Sequence, residues 1–145
     1  MSLHGQYDTD NVFAKILRGE IPGVTVWEDD QIYVFMDAFP QSPGHTLVIS
    51  KTSQARNILE MDPVDLAKVT AAVQRTARAI NKALAPDGMI ITQFNGTPAG
   101  QTVFHLHFHI IPRWENKDMI SHSQSGMADP QDLKQLAERI RNALD

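Results

Sequence analysis

Apolar residues along this chain change their period several times, and each change marks an element. Val12, Phe13, Ile16 and Leu17 stand at helical spacing between Asp10, read as a cap, and Gly19, so Asn11 to Arg18 is a short helix. After Ile21-Pro22-Gly23 the pattern shifts to β-branched and aromatic runs, Val24 to Glu28 and Ile32 to Asp37, which Asp29-Asp30 separates as in a hairpin. A loop with Pro40, Pro43 and Gly44 leads to a third strand, His45 to Ser50. Asp62 and Pro63 occupy the cap and first position of a long helix ending at Leu84, with Leu66, Val69, Val73, Ile80 and Leu84 as its apolar stripe. Pro86-Asp87-Gly88 stops it, Met89 to Phe94 predicts a fourth strand, and the loop Asn95 to Gly100 leads into a fifth. Residues 113–127 look irregular, and Asp129-Pro130 starts a last helix with Leu133, Leu136, Ile140 and Leu144 on one side. The order predicts an α+β fold: a five-stranded antiparallel sheet with a long helix, a short N-terminal helix and a C-terminal helix.

The fifth strand carries the least ordinary pattern. In Phe104-His105-Leu106-His107-Phe108-His109-Ile110-Ile111, three histidines occupy alternate positions of an apolar run. On an extended strand the side-chain period is two, so the histidines share one face and Leu106, Phe108 and Ile110 the other. Their Cα atoms would lie about 6.5 to 7 Å apart, close enough to share a phosphate or a metal ion. The loop is short enough to join antiparallel neighbours, which would bring Asn95 beside the start of the row.

Composition narrows the partners. A chain of 145 residues fits one ordinary domain with a core of its own. Cysteine is absent, excluding disulfides and thiolate zinc sites. Thirteen Lys and Arg against seventeen Asp and Glu give a charge of -4 without a basic cluster, which argues against nucleic acid as a partner. No apolar run approaches the roughly 20 residues of a bilayer span, and Met1 to Asp10 is polar, so no membrane and a cytoplasmic location are expected.

Three chemistries suit the histidine row. A neutral imidazole, with a pKa near 6.5, can attack phosphorus while a second handles protons. Histidines at i and i+2 can also chelate zinc with an open position left over. Core hydrogen bonding is the third reading, usual for a lone histidine and strained for three in line. Against metal, no carboxylate stands nearby in sequence, and Asn95, Gln101 and Thr102 are neutral donors suited to phosphate oxygens.

The segment Gly100 to Ile111 resembles the signature of the histidine-triad (HIT) nucleotide-binding hydrolases, in particular their HINT-like bacterial branch. Phe13 to Pro22, Phe35-Met36-Asp37, Gly44 to Ile49 and Asn95-Gly96 resemble the family's other blocks, in the same order. The resemblance covers residues 11–113 as a HIT domain, between a polar segment 1–10 and an extension 114–145 whose helix is expected to pack on the same domain. It implies a nucleoside phosphoramidase that cleaves purine nucleoside 5'-phosphoramidates or related AMP conjugates, with His107 attacking the α-phosphorus. By the same resemblance His109 assists proton transfer at the α-phosphate, and His105 and His45 support the imidazole network. Asn95, Gln101 and Thr102 match phosphate or leaving-group positions, and Asp37 matches the carboxylate that holds the ribose. Val12, Phe13, Ile16, Ile21 and Phe35 match the wall for the base, although apolar residues at such spacings are ordinarily core. Hydrolysis of dinucleoside polyphosphates is the alternative within the family, and a nucleotide-binding regulatory module with incidental activity is the alternative outside catalysis.

The resemblance further implies a homodimer and a purine nucleotide or nucleotide conjugate as ligand. Many bacterial relatives hold a structural zinc with two cysteines flanking an apolar pair and a histidine after the third strand. Asn11, Ala14 and Ser53 stand at those positions, so neither a metal nor another cofactor is expected. Ala38 replaces a larger aliphatic residue and leaves the base preference open.

Overall fold

The computed structural model describes residues 2–120 and 126–145. Its helices are α1 (Val12–Leu17), α2 (Pro63–Leu84) and α3 (Pro130–Asn142), with a 3-10 turn at Thr97–Ala99. The strands are β1 (Thr25–Glu28), β2 (Ile32–Met36), β3 (Thr46–Ser50), β4 (Gly88–Thr92) and β5 (His107–Arg113). All adjacent pairs are antiparallel, in the order β1-β2-β3-β5-β4. The chain is thus the expected α+β fold, with β5 inserted between β3 and β4 by the crossover through α2. The expected irregular stretch 113–127 falls partly on 121–125, outside the described residues.

Local chemistry explains the helix ends. Asp62 accepts from the Val64 N–H at 2.8 Å, and Asp129 accepts from the Gln131 N–H at 2.9 Å, each followed by proline at the first helical position. At α1 the cap is Asn11, not Asp10: Asn11 Oδ1 reaches the Ala14 N–H at 2.9 Å, while the Asp10 N–H turns back to Asp8.

The pleat separates two apolar clusters. Ile32, Val34, Val48, Leu106 and Ile110 face one side, where Val69, Val73 and Ile80 of α2 and Leu133, Ala137 and Ile140 of α3 complete a single core. The predicted stripes of both long helices therefore do the packing. Tyr33, Phe35, Leu47 and Ile49 face the other side, covered by Phe13, Ile16 and Leu17 of α1. Register then places the histidines. His107 pairs with Ile49 and His109 with Leu47, directly opposite residues of this second cluster.

One expectation needs correction. His105 and Leu106 precede β5, which opens at His107. Leu106 still enters the main core, and its N–H bonds to the Ala55 carbonyl at 3.0 Å instead of to a strand partner. Gly44, just before β3, has φ 88°, and a Cβ there would lie 2.5 Å from Leu84 Cδ1, so the turn that launches His45 requires glycine.

Candidate active site

The site grows out of strand ends on the α1 face. β5 supplies His107 and His109, the residue before β3 is His45, and the residue after β2 is Asp37, whose N–H bonds to the His45 carbonyl at 3.0 Å. His107, His109 and Asp37 border, with α1, a mostly apolar cavity of about 290 Å³. Its lining includes Val12, Phe13, Ile16, Phe35, Asp37, Thr102, His107 and His109. Phe13 meets the His107 ring edge-on at 4.9 Å between centroids, and Phe94 lies 5.5 Å from that of His109.

Hydrogen-bond partners assign the tautomers. His107 Nδ1 lies 2.7 Å from the His105 carbonyl, which only accepts, so Nδ1 carries the proton and Nε2 the lone pair of the neutral ring. His45 Nδ1 receives the Gln41 N–H at 3.0 Å, which puts the proton of neutral His45 on Nε2. That nitrogen is 2.9 Å from His109 Nδ1 and donates to it, leaving His109 protonated at Nε2. Two adjacent imidazoles, 5.0 Å apart, thereby present opposite chemistry: a basic nitrogen on His107 and an N–H on His109.

His105 stands behind this pair. Its Nε2–H donates to the Ser50 carbonyl at 3.0 Å, and its Nδ1 accepts from the Tyr7 hydroxyl at 2.6 Å. Burial is the main cause that lowers its pKa from 6.5 to about 4; the Ser50 carbonyl partly offsets this and His107 adds to it. The ring is neutral at physiological pH.

A single group among the described residues has metal-ligand spacing: Asp37, His45 and His109, whose ligand atoms lie within 4.8 Å of one another. Asp37 Oδ2 is 3.4 Å from His45 Nε2, so folding recruits a carboxylate that the neighbouring sequence lacks. A cation there would have to displace the proton shared by His45 and His109.

Residues 18–116 match the model of the HIT domain, over half of the chain. The chain belongs to the HIT family. A Hit-like protein of Bartonella henselae has a solved structure with 46% sequence identity and a TM-score of 0.91, covering 97% of this chain and 100% of that one. A histidine triad nucleotide-binding protein of Sulfolobus tokodaii has 34% identity and a TM-score of 0.82, covering 90% of this chain and 89% of the other. Adenylylsulfatase HINT3 of Arabidopsis thaliana is 38% identical over 120 residues, 79% of this chain and 60% of its own length.

In this HIT protein the expected site residues divide into three groups. His107, His109, Thr102, Asp37, Val12, Phe13, Ile16 and Phe35 border the cavity. His45 and His105 stand behind it, joined to His109 and His107 by hydrogen bonds. The structure does not bring Asn95, Gln101 or Ile21 to the cavity. Asn95 Oδ1 accepts from the Ile58 N–H at 2.9 Å, and its Nδ2 donates to Gln93. Gln101 accepts from the Gly96 N–H at 2.8 Å and donates to the Arg56 and Val103 carbonyls, so both amides shape the loop before β5. Leu47, Val103 and Leu133 line the cavity without having been foreseen. Alternation along β3 could have found Leu47, whereas Leu133 comes from α3, far along the chain.

Proposed function

We propose that this HIT protein binds purine nucleotides and hydrolyses AMP conjugates, purine nucleoside 5'-phosphoramidates first among them. The carrying observation is the opposed protonation of His107 Nε2 and His109 Nε2 at the wall of one apolar cavity. In the first step His107 Nε2 attacks the α-phosphorus, the bond to the leaving amine breaks, and His109, entering the step as the imidazolium, gives its Nε2 proton to that amine and is left neutral. In the second, water attacks phosphorus, His109 takes its proton, the P–N bond to His107 breaks, and the nucleoside monophosphate leaves. The ring hydrogen bond to the His105 carbonyl stabilises the positive charge that His107 gains. Thr102 is the donor for a phosphate oxygen, and Asp37 accepts from the ribose hydroxyls. Phe13, Phe35, Ile16 and Val12 take the base.

The name of the Arabidopsis relative favours an AMP conjugate over a dinucleotide. AMP release should be measured from adenosine 5'-phosphoramidate, adenylyl sulfate and a diadenosine polyphosphate, each with and without EDTA. Turnover of the first two, insensitive to EDTA and well above that of the third, is expected. Preference for the polyphosphate would move the protein to that branch, and no turnover with any of them would leave a nucleotide-binding regulatory module.

The homodimer belongs to the same proposal, supported by one surface. β4 ends the sheet, and its Ile90 and Ile91 are 37% and 49% exposed. An apolar edge strand of this kind invites pairing with a second copy. Sedimentation at micromolar concentration should give a dimer for the native chain and a monomer for Ile91→Glu; equal masses would reject β4 as the interface.

A further inference from the structure

We propose that Tyr7, in the N-terminal arm, is a positioning residue that orients His107 by holding the ring of His105. The proposal rests on the hydrolase reading above for its kinetic consequence, though not for its geometry.

His105 requires such a hold because it lies outside the strand. The first ladder pair of β5 is His107 with Ile49, so strand pairing leaves the carbonyl of residue 105 unplaced. That carbonyl accepts the Nδ1–H of His107 at 2.7 Å, the bond that puts the lone pair on Nε2. Its peptide is held from one side by the Leu106 N–H, bonded to the Ala55 carbonyl at 3.0 Å, and from the other by the His105 ring, 2% exposed and bonded at both nitrogens. Its two partners make one tautomer compulsory. The Ser50 carbonyl can only accept, so Nε2 carries the proton, and Nδ1 then needs a donor, which the Tyr7 hydroxyl provides at 2.6 Å. Without that donor a buried acceptor is left unsatisfied, and the ring gains by rotating or exchanging tautomers. Either change moves the carbonyl that His107 uses.

Tyr7 is itself delivered by an arm tied to the loops around the site. Ser2 Oγ accepts from the Thr97 N–H at 2.8 Å, and the Leu3 carbonyl accepts from Asn57 Nδ2 at 2.8 Å. Beyond Tyr7 the chain passes into the Asn11 cap of α1. The Tyr7 ring also meets His105 edge-on, with centroids 5.7 Å apart, so Tyr7→Phe keeps the packing and deletes only the hydroxyl. Tyr7 does not border the cavity, which separates its effect from substrate binding.

The test compares native protein and Tyr7→Phe by AMP release and by nitrogen NMR of the histidine rings. The expected result is a fall in kcat of about tenfold, the scale of a small misplacement of a reacting group, with KM within about twofold. The His105 nitrogens should lose their single-tautomer signature, and the Nδ1–H of His107 should weaken with them. Thermal melting of both proteins corrects for any unfolded fraction. An unchanged kcat overturns the proposal, as does a reduced kcat with native His105 and His107 nitrogen signals. Should the native protein release no AMP, the hydrolase reading alone fails, and the nitrogen signals still decide whether Tyr7 holds His105.

Discussion

His107→Ala is expected to reduce AMP release from adenosine 5'-phosphoramidate by roughly 10^4- to 10^6-fold, the scale seen when a nucleophile is removed from a catalytic unit. Among the described residues no other group at the wall offers an equivalent atom. His109 is the nearest imidazole, but His45 donates to its Nδ1, so its Nε2 is the protonated nitrogen and cannot attack while neutral. His105 is neutral, with both nitrogens bonded and no place in the cavity lining. The loss should appear in kcat, since the apolar wall and Asp37 are untouched. Rapid quenching of the native enzyme with labelled substrate should trap a nucleotidyl adduct that the variant never forms. Near-native turnover by the variant would remove His107 as nucleophile.

The second large effect concerns stability toward acid. His105 has a pKa of about 4 in the folded chain against 6.5 when solvated. Below pH 6.5 the unfolded chain therefore binds a proton that the folded chain refuses. The stabilisation is complete above pH 6.5, declines as pH falls toward 4, and levels off below. Over that window the loss amounts to about 3 kcal/mol. Other groups titrate in the same range, so the informative quantity is a difference between two proteins. Urea unfolding of native protein and His105→Gln should show curves that converge as pH drops from 7 to 4.5. Parallel curves would mean that His105 protonates as readily in the fold as in solution.

Much of this geometry is legible along the chain, and the failures share a cause. The helical stripes of α2 and α3, the proline-opened helix starts and the alternation that places His107 and His109 on one face are local properties. The beginning of β5 was not legible, because pairing with β3 sets it: Ile49 meets His107, and nothing is left to pair with His105. Asn95 and Gln101 look like free donors in sequence, yet Asn95 donates to the Gln93 side chain and Gln101 to the Arg56 and Val103 carbonyls. Asp37 was assigned to a ribose on resemblance, while its closeness to His45 arises from the meeting of β2 and β3 at the Asp37–His45 backbone bond. Tyr7 gave no signal in a polar segment, and its partner lies 98 residues away.

By itself, then, the sequence determined the α+β architecture, the family and the row of histidines, because period, caps and motif spacing express short-range geometry. The three histidines become chemically distinct only in three dimensions. A ring nitrogen is acid or base according to the atom across from it, and those atoms belong to Gln41, Ser50, His45, Tyr7 and the His105 carbonyl. Apart from that carbonyl, they come from parts of the chain remote from the row. Tertiary structure decided which histidine can attack and which can give up a proton.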